Sequence, residues 1–250
     1  MTRQRILITG ASSGLGAEMA RQFAAMGRDL ALCARRLDRL EQLRDELVAT
    51  NPGITVAVRA LDVNDNDDVF VAFREMADAL GGLDRVVVNA GLGKGQPIGA
   101  GRFDANRQTA MTNFIAGLAQ CEAAMELFRS ANDGHLVVIS SMSAMRGQPR
   151  NLTTYAATKG GIAMLAEGIR ADVGYSPIKV TTIYPGYIES EMTARDGVRP
   201  GMMVSTAVGV RSLIKAVERE RAEAIVPPWP WIPLAFLARH APLAMIRRFG

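Results

Sequence analysis

The chain has 250 residues, 48% hydrophobic and 22% charged. It therefore makes one globular domain or at most two, with apolar material for a full core, which excludes long disorder and a small disulfide-stapled scaffold. The formal charge is +4, but the 29 basic residues are scattered rather than massed on one predicted element, which argues against a nucleic-acid partner.

Cys33, Cys121, His135 and His240 lie far apart with no metal-ligand spacing, so neither a metal site nor a disulfide framework is expected. The amino end is basic, but the apolar run at 6–8 behind it is too short for a signal-peptide core. A cytoplasmic location is the expectation.

In chain order, the run at 6–8 reads as a strand that ends in a glycine turn, and 15–26 carries helical spacing up to Gly27. The alternation repeats with strands at 29–34, 54–61, 85–89, 136–140 and 178–184, and helices at 37–49, 67–80, about 106–129 and 154–173. A last strand is expected at 224–226. Continuous rather than alternating Val/Ile/Leu runs mark strands buried on both faces. Strands alternating with helices require right-handed crossovers, hence an α/β, doubly wound parallel sheet of about seven strands in a single domain. That domain spans 1–226. The tail, 227–250, holds both tryptophans and five of the eleven prolines.

The segment Thr9-Gly10-Ala11-Ser12-Ser13-Gly14-Leu15-Gly16 sits where the first strand passes into the first helix. Gly10 permits a tight turn, Gly14 lets backbone approach a pyrophosphate, and Gly16 allows close helix packing. The helix amino terminus then offers unpaired N–H groups and a positive dipole end to phosphates. The end of the second strand reads the adenosine ribose in such folds. Here it reads Cys33-Ala34-Arg35-Arg36, with no carboxylate before Asp38. An arginine can bind a 2′-phosphate that an acid would repel, so NADP(H) is expected over NAD(H), resting chiefly on Arg35. The alternative is that both arginines are ordinary solvated residues opening a helix.

Tyr155 and Lys159 are four apart on a predicted helix and hence on one face. A phenol with a pKa near 10 is a poor base at neutral pH, and a neighbouring ammonium stabilises the phenolate. Such a phenol can exchange a proton with an alcohol or carbonyl oxygen. Alone the pair is weak, because Tyr and Lys at this spacing are common on helix surfaces.

Together with the glycine turn, Asp62-Val63, Asn89-Ala90-Gly91, Asn113, Ile139-Ser140-Ser141 and Pro185-Gly186, these motifs closely resemble the short-chain dehydrogenase/reductase family from residue 5 to about 226. The resemblance implies a Rossmann-type fold and a carbonyl–alcohol oxidoreductase. It implies Tyr155 as general acid/base, and Lys159 as the residue that tunes it and bonds the nicotinamide ribose. Ser141 would polarise the substrate oxygen, and Asn113 would position a water linking Lys159 to solvent. Asp62, with Val63 beside it, would read the adenine amino group. Asn89, Ala90 and Gly91 would line the cofactor cleft, and the loop of Pro185, Gly186 and Ile188 would fix the carboxamide, with Ser190 where threonine is usual. Ser141 precedes Tyr155 by one position more than is usual in the family, which leaves Ser143 as a rival. Ser140 and Thr112 are expected to be structural neighbours.

The segment at about 187–204 resembles the family's substrate lid, and Lys94, Gln96, Met142, Met145, Gln148 and Tyr187 are candidate pocket residues. The tail is too short and too rich in proline to span a membrane. It is expected to cover an apolar pocket, to form a subunit interface, or to touch a lipid surface. The expected function is NADP(H)-dependent interconversion of a carbonyl and an alcohol on a small to medium, largely apolar small-molecule substrate. The alternative is a dinucleotide-binding regulatory or structural protein without catalysis. The resemblance also implies a homodimer or homotetramer joined through the helices that contain Asn113 and Tyr155.

Overall fold

A computed structural model describes residues 3–93, 95–189 and 203–242. Seven strands form one parallel sheet: β1 (Arg5–Thr9), β2 (Asp29–Ala34), β3 (Val56–Ala60), β4 (Arg85–Val88), β5 (His135–Ile139), β6 (Lys179–Pro185) and β7 (Glu223–Val226). Their order is β3-β2-β1-β4-β5-β6-β7. The chain winds outward in one direction from β1 and then returns to start again at β4. The crevice between the carboxyl ends of those two neighbours is where open α/β sheets bind ligands.

The helices are α1 (Gly14–Ala24), α2 (Leu37–Thr50), α3 (Asn66–Leu80), α4 (Phe103–Ala110), α5 (Ala116–Ala131), α6 (Thr153–Asp172), α7 (Thr206–Val217) and α8 (Pro228–His240). The strands are apolar on both faces because each face has its own helix layer. Leu7, Val86, Val88, Leu136 and Val138 pack with Phe73, Phe128 and Ile162 from α3, α5 and α6. Ile6, Ile8, Leu30, Leu32 and Val87 pack with Phe23, Leu40 and Val210 from α1, α2 and α7. Phe73 and Phe128 are fully buried. Truncating either to alanine would cost about 3–5 kcal/mol through lost transfer energy and a cavity.

Sequence patterning matches the strands and most helices, with differences at three places. The predicted helix at 106–129 begins earlier, at α4, and passes through a π-helical turn, Met111–Ile115, before α5. Helix α7, which is not among the expected elements, follows a Met- and Gly-rich stretch and has Gly209 in its first turn. A Cβ at Gly209 would meet the Ile188 side chain, which gives that glycine a packing reason. Helix α8 forms despite its prolines. Trp229 is extended (φ −104, ψ 135), so the regular turns start after it, and Pro230 and Pro233 fall in a first turn whose N–H groups have no helical partner.

Candidate active site

The glycine turn follows β1, with Gly10 at φ +64 and Gly14 at φ +55. These left-handed conformations disfavour any residue with a Cβ. A Cβ on Gly16 would collide with the Gly10 carbonyl and the Asn89 side-chain amide, so Gly16 lets α1 rest against the turn itself. Thr9, to which the sequence assigned no role, joins the two sides of the crevice. Its Oγ1 accepts from the Asn89 and Ala90 N–H groups at 3.0 and 3.1 Å, and Asn89 Nδ2 donates back to the Thr9 carbonyl at 2.9 Å.

Gly10, Ser12, Ser13, Gly14, Leu15, Arg35, Arg36, Asp62, Val63, Asn89, Ala90 and Gly91 line one cleft, joined by Asn64, Gln108 and Thr112. Asp62 Oδ1 accepts from the Asn64 N–H at 3.1 Å and from Asn64 Nδ2 at 2.9 Å. This local turn fixes the carboxylate at the cleft. Thr112 Oγ1 donates to Asn64 Oδ1 at 3.0 Å. Arg35 is exposed. Arg36 bends across the turn, donating from its guanidinium to Ser12 Oγ at 3.1 Å and to Ser13 Oγ at 2.8 Å. Arg35 carried the expectation from sequence, but Arg36 is the arginine that reaches the glycine turn.

Two of the catalytic candidates, Asn113 and Lys159, meet beside Gly91 at this crevice. Tyr155 lies half-buried in the first turn of α6, where the positive end of the helix dipole favours a phenolate. Lys159, one turn on, is buried and donates from Nζ to the Ile139 carbonyl at 2.8 Å. Burial pushes its ammonium down to about 8. Asn113 sits in the π-helical turn, an irregularity often found at functional positions. Its Oδ1 accepts from the Leu92 N–H at 2.7 Å, and its Nδ2 donates to the Leu92 carbonyl at 2.9 Å and to Thr158 Oγ1 at 3.2 Å. A Cβ on Gly91 would lie 3.4 Å from both Asn113 Oδ1 and Lys159 Nζ. The loop after β4, the π turn and α6 therefore converge on one point.

Ser140 is buried and donates to the Lys159 carbonyl at 2.7 Å, which ties β5 to α6. Ser141 caps the short 3₁₀ turn Met142–Met145, its Oγ accepting from the Ser143 N–H at 3.1 Å. That turn packs against α6. Asn106 was not singled out from the sequence. Its Oδ1 accepts from the Gln96 N–H at 2.9 Å and from Thr154 Oγ1 at 3.0 Å, pinning the preceding loop beside the start of α6.

Pro185 and Gly186 end β6, with the Gly186 N–H donating to the Val226 carbonyl at 2.9 Å. The Trp231 ring lies over Gly186, where no Cβ would fit, and meets the Tyr187 ring edge-on with centroids 5.3 Å apart. Arg146 Nη1 donates to the carbonyls of Ala238 and Ala241 at the end of α8. Helix α8 thus packs on the protein, against the turn after Ser141 and the turn after β6. Ile188 is buried against Gly209. The two ends of the expected lid are held together by bonds between Tyr187 and Val204 and between Glu189 and Val204. Ser190, the middle of that lid and Lys94 lie outside the described residues.

The family model described as short chain dehydrogenase matches residues 4–199. An uncharacterized oxidoreductase of Mycobacterium tuberculosis is 52% identical over 250 residues, covering 100% of this chain and 98% of the relative. Among solved structures, a short-chain dehydrogenase from Sphingobium yanoikuyae in complex with NADPH has a TM-score of 0.81 at 26% identity, with 92% of each chain covered. An alcohol dehydrogenase from Thermococcus sibiricus complexed with 5-hydroxy-NADP has a TM-score of 0.78 at 25% identity, covering 89% of this chain and 95% of that one. The chain belongs to the short-chain dehydrogenase family of oxidoreductases, which bind a nicotinamide cofactor.

The residues present fit such a cofactor. The glycine turn is held in conformations that leave its backbone clear of Cβ atoms. A side chain on Gly91 would crowd the meeting point of Asn113 and Lys159. Arg35 and Arg36 line the cleft, with the Arg36 guanidinium bonded to Ser12 and Ser13.

Proposed function

We propose that this protein is an NADP(H)-dependent oxidoreductase that interconverts a carbonyl and an alcohol on a small to medium, largely apolar substrate. The observation that carries this reading is the placement of Tyr155 one helical turn from a buried Lys159 at the crevice where Asn113 and Gly91 also meet. The glycine turn would hold the pyrophosphate, Arg36 with Arg35 the 2′-phosphate, Asp62 and Val63 the adenine, and Pro185, Gly186, Ile188 and Ser190 the nicotinamide side. When bound, the nicotinamide supplies or accepts the hydride. Phosphate recognition by the arginines agrees with the NADP-type ligands of the two solved relatives.

In the reducing direction, the Tyr155 hydroxyl donates its proton to the carbonyl oxygen, and the Ser141 hydroxyl donates a second hydrogen bond to the same oxygen. The Lys159 ammonium and the amino terminus of α6 stabilise the phenolate left behind. Asn113, clamped to Leu92 and Thr158, keeps the cofactor-side loop and the π turn in register with that pair. In the oxidising direction the phenolate takes the alcohol proton. The edge-on pair of Tyr187 and Trp231 beside Gly186 supports an apolar substrate. We assign 1–226 to the catalytic unit and 227–250 to an appended cover. Exposed Phe103, Met111, Ile115 and Met164 on the helices around Asn113 and Tyr155 support a dimer or tetramer joined there.

The test is purified protein with NADPH and a panel of ketones and aldehydes. Cofactor oxidation is expected from the wild type and should vanish in Tyr155→Phe. Equal inactivity of both across a broad panel, with NADPH still bound, would overturn the catalytic reading in favour of a dinucleotide-binding protein without chemistry.

A further inference from the structure

Helix α8 has two unlike faces. Its inner face is committed to the body of the protein, with Trp231 and Ala235 buried and Arg146 holding the carbonyls at its end. Its outer side presents Trp229 (78% exposed), Ile232 (52%), Phe236 (68%) and Leu237 (53%). These four form an apolar surface left exposed among the described residues, and Arg239 is exposed at its end.

We propose that this outer face docks on an anionic lipid bilayer. The charge pattern selects that occupant. Residues 227–250 contain no aspartate or glutamate and three arginines, Arg239, Arg247 and Arg248. A second copy meeting this face would set Arg239 against Arg239 with no carboxylate from α8, whereas anionic headgroups supply the opposite charge. Tryptophan and phenylalanine rings suit the boundary between headgroups and acyl chains. The helix is only 13 residues long, so it lies in the interface rather than crossing. No described helix is long and apolar enough to span a membrane.

Because α8 packs against the turn after Ser141 and against Gly186, docking would set the mouth of the site at the lipid surface. Resting on the function proposed above, this makes the substrate a lipid-soluble carbonyl compound.

Flotation of the full-length protein with vesicles tests the surface without cofactor or substrate, so its outcome is independent of the catalytic reading. The wild type is expected to float with vesicles containing phosphatidylglycerol, less so at raised salt and much less with phosphatidylcholine alone. The double variant Trp229→Ser with Phe236→Ser should lose at least about tenfold in partitioning, with an unchanged circular dichroism spectrum because both side chains are exposed. Tyr155→Phe should float as the wild type does. Three outcomes would overturn the proposal: no flotation with either vesicle, undiminished flotation of the double variant, or self-association in sedimentation equilibrium that the double substitution abolishes while vesicles remain unbound. The last would assign the face to a second copy of the chain.

Discussion

At the amino-terminal ends of the strands charges are paired with charges, whereas at the carboxyl-terminal ends a buried cation is held by a carbonyl. Arg85, 1% exposed, reaches Glu218 and donates from Nε to His135 Nδ1 at 2.9 Å. Arg28 meets the same glutamate at 3.0 Å, and Arg3 bridges Asp133 and Glu220 at 2.7 and 2.8 Å. This network joins the starts of β1, β4 and β5 to the end of α7. At the opposite edge Lys159 has the Ile139 carbonyl, and the surrounding bonds run mostly between side chains and backbone. One edge matches its buried charges with one another. The other keeps a cation in a place that favours its neutral form, which is useful for chemistry and unfavourable for folding.

The comparison predicts opposite outcomes for substitutions at the two edges. The largest effect is expected from Lys159→Met, which should lower carbonyl reduction by about a thousandfold while raising the denaturant midpoint, since a buried cation is removed. A midpoint that falls instead would make Lys159 a structural residue and break the contrast. Arg85→Leu should do the reverse. It strips a donor from His135 and a partner from Glu218, so urea unfolding should show a loss of about 3–5 kcal/mol, with kcat/KM of the folded fraction unchanged. A matching loss of kcat/KM would mean that the two edges are coupled.

A smaller change sharpens the cofactor end. Arg36→Ala should weaken NADPH binding by about tenfold to a hundredfold, the worth of a charge-assisted hydrogen bond, and leave NADH affinity as it was. Arg35→Ala, at an exposed position, should do less. Equal losses for both cofactors would show that Arg36 serves the turn through Ser12 and Ser13 rather than the phosphate.

The smallest effects are in pH dependence: both buried bases make stability rise with pH, whereas activity falls on the alkaline side. Burial, with the cations of Arg85 and Arg3 beside it, holds His135 well below its usual 6.5. The unfolded chain therefore binds a proton below about 6.5 that the folded chain does not. Unfolding free energy should fall as pH drops below that value, by up to about 1.4 kcal/mol per pH unit, and His135→Gln should flatten this limb. Lys159, pushed down by burial to about 8 from 10.5, gives the alkaline counterpart. Reduction should decline as pH rises through about 8, while its contribution to stability rises, because up to 10.5 the unfolded chain binds the extra proton. An activity limb unchanged in Lys159→Arg would assign that titration elsewhere.

Much of the fold could be read from one-dimensional pattern. The apolar runs of β1, β4 and β5 and the alternation with helices announce a covered parallel sheet, because a strand buried on both faces has no polar register to conceal. Helix α7 was missed although Val210, Leu213, Ile214 and Val217 recur at helical spacing, so its signal was legible in the sequence. Helix α8 was missed because prolines normally argue against helix, and only the chain path shows that Pro230 and Pro233 occupy the tolerant first turn. The π turn at Asn113 leaves no local signature, since it depends on how α4 and α5 seat against α6. At the site, Tyr155, Lys159 and the glycine turn were legible because helical spacing and backbone conformation are local properties. The roles of Thr9, Asn106 and Arg146 were not, since each joins segments far apart in the chain.

By itself the amino-acid order determined the strand and helix alternation, the glycine turn after β1, and a tyrosine and a lysine on one helical face. These follow from interactions within a few residues. Only the tertiary structure decided that Arg36 lies across the turn, that Asn113 is clamped between Leu92 and Thr158, and that the tail folds back with Trp231 over Gly186. Those contacts depend on the order in which strands assemble, and strand order places residues from opposite ends of the chain side by side.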